Sequence, residues 1–145
     1  MKIGIILTLV FLQNSAVIAQ NSTPGTLAKF DVIVSFGSIC CGTASDDFLK
    51  EYFKMCSSKN KDSIIALKLG GCGREGEYKI LFSLVKLAPP QKNKFIAALK
   101  KLIPEENEKN KAANASSGPI SLDYDLPISQ FEYCREQASK WKWEK

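Results

Sequence analysis

Residues 63–87 read SIIALKLGGCGREGEYKILFSLVKL, and this stretch decides the fold. Two apolar runs, 63–69 and 77–87, flank a break made of Gly70, Gly71, Gly73 and Gly76. Runs rich in Ile, Leu, Val, Tyr and Phe favour strands. Glycine tolerates the positive φ that a sharp reversal needs. The stretch therefore reads as a hairpin with a long loop at 70–77. Strands joined this way pair antiparallel.

Toward the N-terminus, residues 30–36 (FDVIVSF) form a further strand, ended by Gly37 and Ser38. A helix is expected to begin near Thr43 or Ser45, with Thr43 and Asp46 spaced as an approximate capping box. Phe48, Leu49, Tyr52, Phe53 and Cys56 then share one helical face. Residues 57–61 (SSKNK) stop it.

Toward the C-terminus, Pro89 and Pro90 open a second helix, where proline suits the first turn. Phe95, Ile96, Leu99, Leu102 and Ile103 line one side, while Lys92, Lys94, Lys100 and Lys101 cover the other. Pro104 is expected to end it, because an interior proline removes a helical hydrogen bond. Residues 105–118 hold no aromatic or β-branched side chain and are expected to be a flexible excursion. Residues 120–126 (ISLDYDL) alternate at period 2 and form a fourth strand. Ser129 and Glu132 make a second capping box, and Ile128, Phe131, Cys134, Ala138 and Trp141 follow at helical spacing.

The order is β-α-β-β-α-β plus a last helix. That pattern predicts an α+β fold, the ferredoxin-like split sandwich with an additional C-terminal helix, over 29–145. The arrangement hosts many unrelated functions and identifies none.

The first nineteen residues, MKIGIILTLVFLQNSAVIA, carry Lys2, an apolar core and a small-residue end. They read as a signal peptide cleaved after Ala19, with 20–28 as a polar, flexible leader. The apolar core is about half the roughly 20 residues that a membrane span needs. The expected location is therefore exported, periplasmic or extracellular. Asn21 and Asn114 begin N-glycosylation patterns.

Twenty basic and fifteen acidic side chains leave a net charge of +5. The charges are interspersed, which reads as a solvated surface and not as a nucleic-acid footprint. The chain has no histidine. That excludes Ser-His-Asp and Cys-His sites built from this chain, and imidazole-ligated zinc. No resident cofactor or metal is expected.

Cysteines in an exported chain read first as disulfides. If the strands at 30–36 and 63–69 run parallel, both end at one sheet edge. Cys40, Cys41 and Cys72 follow those ends. Cys72 is thus expected to bond Cys40 or Cys41, and Cys56 to bond Cys134 at the opposite edge. The count of five leaves at least one free thiol.

Two loops rich in small residues share that first edge. Ser38, Cys40, Cys41 and Thr43 belong to one, and Cys72, Arg74, Glu75 and Glu77 to the other. The first offers backbone N–H groups to an anion, and Arg74 offers a fork suited to carboxylate or phosphate. The leading expectation is a non-enzymatic exported binding module for an anionic small molecule or a protein. One alternative is a small secreted enzyme using a free thiol, Glu75 or Glu77. Another is a structural envelope or extracellular interaction protein, touching a membrane through its KWKWEK tail.

Overall fold

A computed structural model describes residues 29–56, 58–113 and 115–143. The signal peptide at 1–19, the leader at 20–28 and the sequons at Asn21 and Asn114 lie outside the described residues. The elements are β1 (Lys29–Ser38), α1 (Asp47–Met55), α2 (Ser58–Asp62), β2 (Ile65–Leu69), β3 (Tyr78–Ser83), α3 (Pro89–Ala112), β4 (Ser117–Pro127) and β5 (Ser139–Lys140). A 3-10 helix, Ile128–Phe131, lies between β4 and β5.

The fold is α+β. One five-stranded sheet has the order β4-β1-β3-β2-β5, and every neighbouring pair is antiparallel. β1 and β2 both run against β3, so both end at the same edge, called the top here. The hairpin of β2 and β3 lies inside the sheet, with Leu67 opposite Leu81.

α1 and α3 cover one face. Leu49 and Phe53 of α1 and Phe95, Leu99 and Ile103 of α3 pack on Val32, Val34, Phe36, Ile80 and Phe82. Phe53 sits in the aromatic centre, 5.7 Å from the Phe82 ring and 5.8 Å from Phe95. Asp31 ties this layer down at the lower edge. Its carboxylate accepts from Leu84 N at 2.6 Å and also pairs with Lys92 at the start of α3.

The other face is apolar as well. Phe30, Ile33, Leu67, Leu69 and Leu81 form a second buried cluster. Strands covered on both sides read as continuous apolar runs, which is why β3 alternates so poorly in the sequence. Leu122 packs with the first cluster and Leu126 with the second, although both have the same parity. Asp125, at φ 56, lies between them, and β1 changes face at the same level, with Phe30 in the second cluster and Val32 in the first.

No C-terminal helix covers that second face, which corrects the sequence expectation. Residues 128–138 instead form a strap. It leaves the lower end of β4, crosses the sheet and reaches the top of β2. Phe131 is buried in the second cluster, with Lys79 Nζ 5.3 Å from its ring centre. At the top, Arg135 N donates to Gly71 O (3.1 Å) and Glu136 N to Gly70 O (3.4 Å). A side chain at Gly71 would meet Arg135 at 3.2 Å, and its φ of +64 also favours glycine. Ser139 and Lys140 then add β5 to the free edge of β2. Trp141 turns under that edge into the helix-side core and is 2% exposed. The helical spacing of Phe131, Cys134 and Trp141 thus reflects burial on two different faces of the sheet.

The strap also corrects the disulfides. Cys72 is bonded to Cys134. It is not bonded to Cys40 or Cys41, and Cys56 is not bonded to Cys134. Cys72 does lie at the top edge as expected. Cys134 joins it there because the chain climbs across the sheet instead of staying at the bottom. Cys40, Cys41 and Cys56 are free.

α3 continues through Pro104 to Ala112, where an excursion was expected. Residues such as Glu, Lys and Ala favour helix, and Asn107 gives this polar extension a docking point. Its amide donates to Ile120 O and accepts from Ile120 N, both at 2.8 Å. Asn107 thereby occupies backbone groups on β4, an edge strand of the kind that otherwise invites pairing. At α1, Thr43 and Asp46 form no capping box. Ser45 Oγ accepts from Asp47 N at 3.2 Å, and the Asp46 side chain makes no cap bond.

Two stability measurements check this architecture. Replacing Cys72 and Cys134 together by alanine removes a cross-link spanning 62 residues. By chain entropy it should cost about 4 kcal/mol in a denaturant titration. A loss below about 1 kcal/mol would mean that packing alone holds the strap. Asn107→Ala should cost about 1–3 kcal/mol, since two backbone groups lose their partner. An unchanged midpoint would show that solvent satisfies Ile120 equally well.

Candidate functional site

The expected site residues all lie at or near the top edge, but they divide into two groups. Ser38 ends β1, and its hydroxyl is buried without a hydrogen-bond partner, as are Ser117 Oγ and Asn110 Nδ2. Cys40 and Cys41 are exposed, and Cys40 N donates to Ser116 O at 3.3 Å. Thr43 is half-buried. This loop leans toward β4.

The other loop leans toward the strap. Cys72 is held by Cys134, and Cys72 N donates to Glu77 O at 2.9 Å. Arg74 and Glu75 are exposed. Glu77 folds back, so that its carboxylate accepts from Glu75 N at 2.8 Å. A side chain on Gly73 would collide with that carboxylate. Glu77 therefore shapes the loop, and its acceptor capacity is partly occupied.

Tyr78, the first residue of β3, stands between the two groups. Its hydroxyl donates to Ala44 O at 2.9 Å, and its ring stacks on Phe36 with centroids 4.3 Å apart. Lys68 Nζ lies 3.9 Å over the same ring. Burial pushes the Tyr78 hydroxyl well above its ordinary value of 10.0, and the charges of Asp46 and Asp47 push it further.

Beside Tyr78, a hollow of about 480 Å³ opens between the start of α1 and β5. Lys50, Lys68, Lys140 and Lys142 line it, together with Asp46, Ser139 and Trp141. Asp46 is only 6% exposed. One of its oxygens pairs with Lys50 Nζ at 2.7 Å, and the other accepts from Trp141 Nε1 at 2.7 Å. Hydrogen bonds to Asp46, and then to Asp47, hold the Lys50 ammonium above its usual range. The carboxylate and Lys50 thus neutralise each other. Lys68, Lys140 and Lys142 form no ion pair among the described residues, so the hollow is left positive.

The sequence reading missed this cluster. Its signal was the alternation Lys140, Trp141, Lys142, Trp143, which is period 2 and not helical. Trp141 and Trp143 both pack toward Phe53, at 5.1 and 5.2 Å between ring centres. Trp141 is buried and Trp143 is partly buried against the same core. Among the described residues no group of three or more metal-ligating side chains converges, and no helix is long and apolar enough to cross a membrane.

Tyr78 makes the protein sensitive to alkali. Its pKa is raised by folding, so its contribution to stability is complete below pH 10.0 and is lost as pH rises toward the folded value. Tyr52, raised by burial and by neighbouring Cys56, acts with the same sign. Stability should therefore fall above pH 10.0. Tyr78→Phe should start lower by about 1 kcal/mol, then fall less steeply, by up to about 1.4 kcal/mol per pH unit. Equal slopes for the two proteins would assign the alkaline loss to other groups.

The chain matches no protein-family model, no curated protein and no solved structure.

Proposed function

We propose that this protein is an exported, non-enzymatic binding module that takes an anionic group in the lysine hollow beside α1. One observation carries the reading. Lys68, Lys140 and Lys142 converge on a single hollow with no carboxylate partner among the described residues, while its one acid, Asp46, is held by Lys50 and Trp141. Like charges gathered in a concave surface raise the local concentration of anions. The floor is rigid, because Trp141 is buried and β5 is hydrogen-bonded to β2. A fixed floor lowers the ordering cost of binding.

The fold reading is the ferredoxin-like split sandwich, supported by the strand order β4-β1-β3-β2 and by two helices on one face. The strap and β5 are additions to it. Export rests on residues 1–19 and is supported by the Cys72–Cys134 bond, since disulfides persist in oxidising compartments.

Calorimetric titration with pyrophosphate and with a sulfated oligosaccharide tests the binding reading. Binding should weaken as salt rises. Lys68→Gln with Lys140→Gln should weaken it at least about tenfold, equivalent to about 1.4 kcal/mol. Lys101→Gln, on the exposed side of α3, should leave it unchanged. If the double variant binds as tightly as the parent, the hollow is not the site.

A further inference from the structure

The lysine hollow leaves three thiols without a role. We propose that Cys40 and Cys41 are the covalent contact between two copies of this chain, linked about a two-fold axis by Cys40–Cys41 bonds in both directions.

Within one copy, Cys40 and Cys41 are adjacent, with Cα atoms about 3.8 Å apart, closer than a disulfide normally takes, and the other cysteines are out of reach. Cys72 and Cys134 are bonded to each other. Cys56 caps the far end of α1, and nine helical residues span about 13 Å. A disulfide needs Cα atoms within about 4.4–6.8 Å. Cys40 is meanwhile held at the β4 side by its hydrogen bond to Ser116 O. Cys40 and Cys41 are both exposed and free to meet another molecule.

Three features select a second copy as that molecule. Residues 37–45, GSICCGTAS, carry no charge, in a chain with 24% charged residues and a net charge of +5. Two copies can meet at this loop without repulsion there. Ile39, beside the thiols, is 75% exposed, so the contact also buries apolar surface. Adjacent thiols are self-complementary under two-fold symmetry, where residue i meets j and j meets i. Once one bond forms, the remaining pair is held at high effective concentration.

The oxidant is a low-molecular-weight disulfide. A Cys40 thiolate attacks it, forming a mixed disulfide and releasing one small thiolate. The Cys41 thiolate of the second copy attacks the protein sulfur of that mixed disulfide, forming the interchain bond and releasing the second small thiol. Each interchain bond thus consumes two protein thiols and one small disulfide, and yields two small thiols. In the organism this oxidant depends on the export reading. A test that supplies the oxidant directly separates failure of one reading from failure of the other.

The whole protein is equilibrated in glutathione buffers of graded redox ratio and examined by non-reducing electrophoresis and peptide mass mapping. The expected result is conversion to a dimer, with the peptide carrying both cysteines recovered at twice its mass. Cys56→Ser should dimerise like the parent, while Cys40→Ser with Cys41→Ser should remain monomeric. Neither single variant alone has a Cys40–Cys41 pair across the axis, so an equimolar mixture of the Cys40→Ser and Cys41→Ser proteins should form the one remaining bond, in a dimer at least about tenfold easier to reduce than the parent. Three results overturn the proposal: a monomer carrying glutathione, a monomer lighter by two hydrogens, or a dimer that survives in the double variant.

Discussion

β1, β3 and β2 carry large apolar side chains on both faces, yet the helices cover only one. Phe30, Ile33, Leu67, Leu69 and Leu81 would otherwise face water. Burying apolar surface of this kind is the main favourable term in folding, at about 25 cal/mol per Å². The requirement to cover the second face accounts for the path of the chain after β4. The strap crosses the sheet, lays Phe131 on the exposed cluster and arrives at the opposite edge.

That crossing creates the rest of the C-terminal structure. It brings Cys134 to Cys72, and it places Ser139 and Lys140 where they extend β2. It also delivers Trp141 to Phe53 and Phe82 from below the sheet edge, so one segment contributes to both hydrophobic clusters. The indole N–H needs a partner once buried, and Asp46 supplies it. Asp46 in turn is a buried carboxylate, which Lys50 and Trp141 together satisfy. A buried charge is tolerated on those terms.

The lysine hollow follows from the same geometry. Along residues 140–143, where Lys and Trp alternate, packing the tryptophans toward Phe53 leaves the lysines outside. Lys68, beside β5 and over the Tyr78 ring, adds to them. The two Gly-rich loops at the top edge turn out to have separate tasks. The loop at 70–77 is closed on itself by Glu77 and pinned by the disulfide, while Cys40 and Cys41 stand free on the β4 side.

The sequence by itself determined the α+β class, the antiparallel hairpin, the four main strands and the two packing helices. These follow from local period and local breaks, such as the glycines of 70–77 and the apolar stripe of Phe95, Leu99 and Ile103. It also determined that Cys72 lies at the top edge, because a residue just after a strand must be near that strand's end. Tertiary structure decided the rest. Phe131, Cys134 and Trp141 have helical spacing, but Phe131 and Cys134 pack on one face of the sheet and Trp141 on the other, and spacing does not tell a helix from a strap. The polar extension of α3 is ordered by Asn107 on Ile120, a contact that no local pattern announces. Asp46 and Trp141 are 95 residues apart, and Cys72 and Cys134 are 62 apart. Such pairs form only when the chain between them has folded, so the disulfide and the lysine hollow belong to the three-dimensional structure and not to any stretch of sequence.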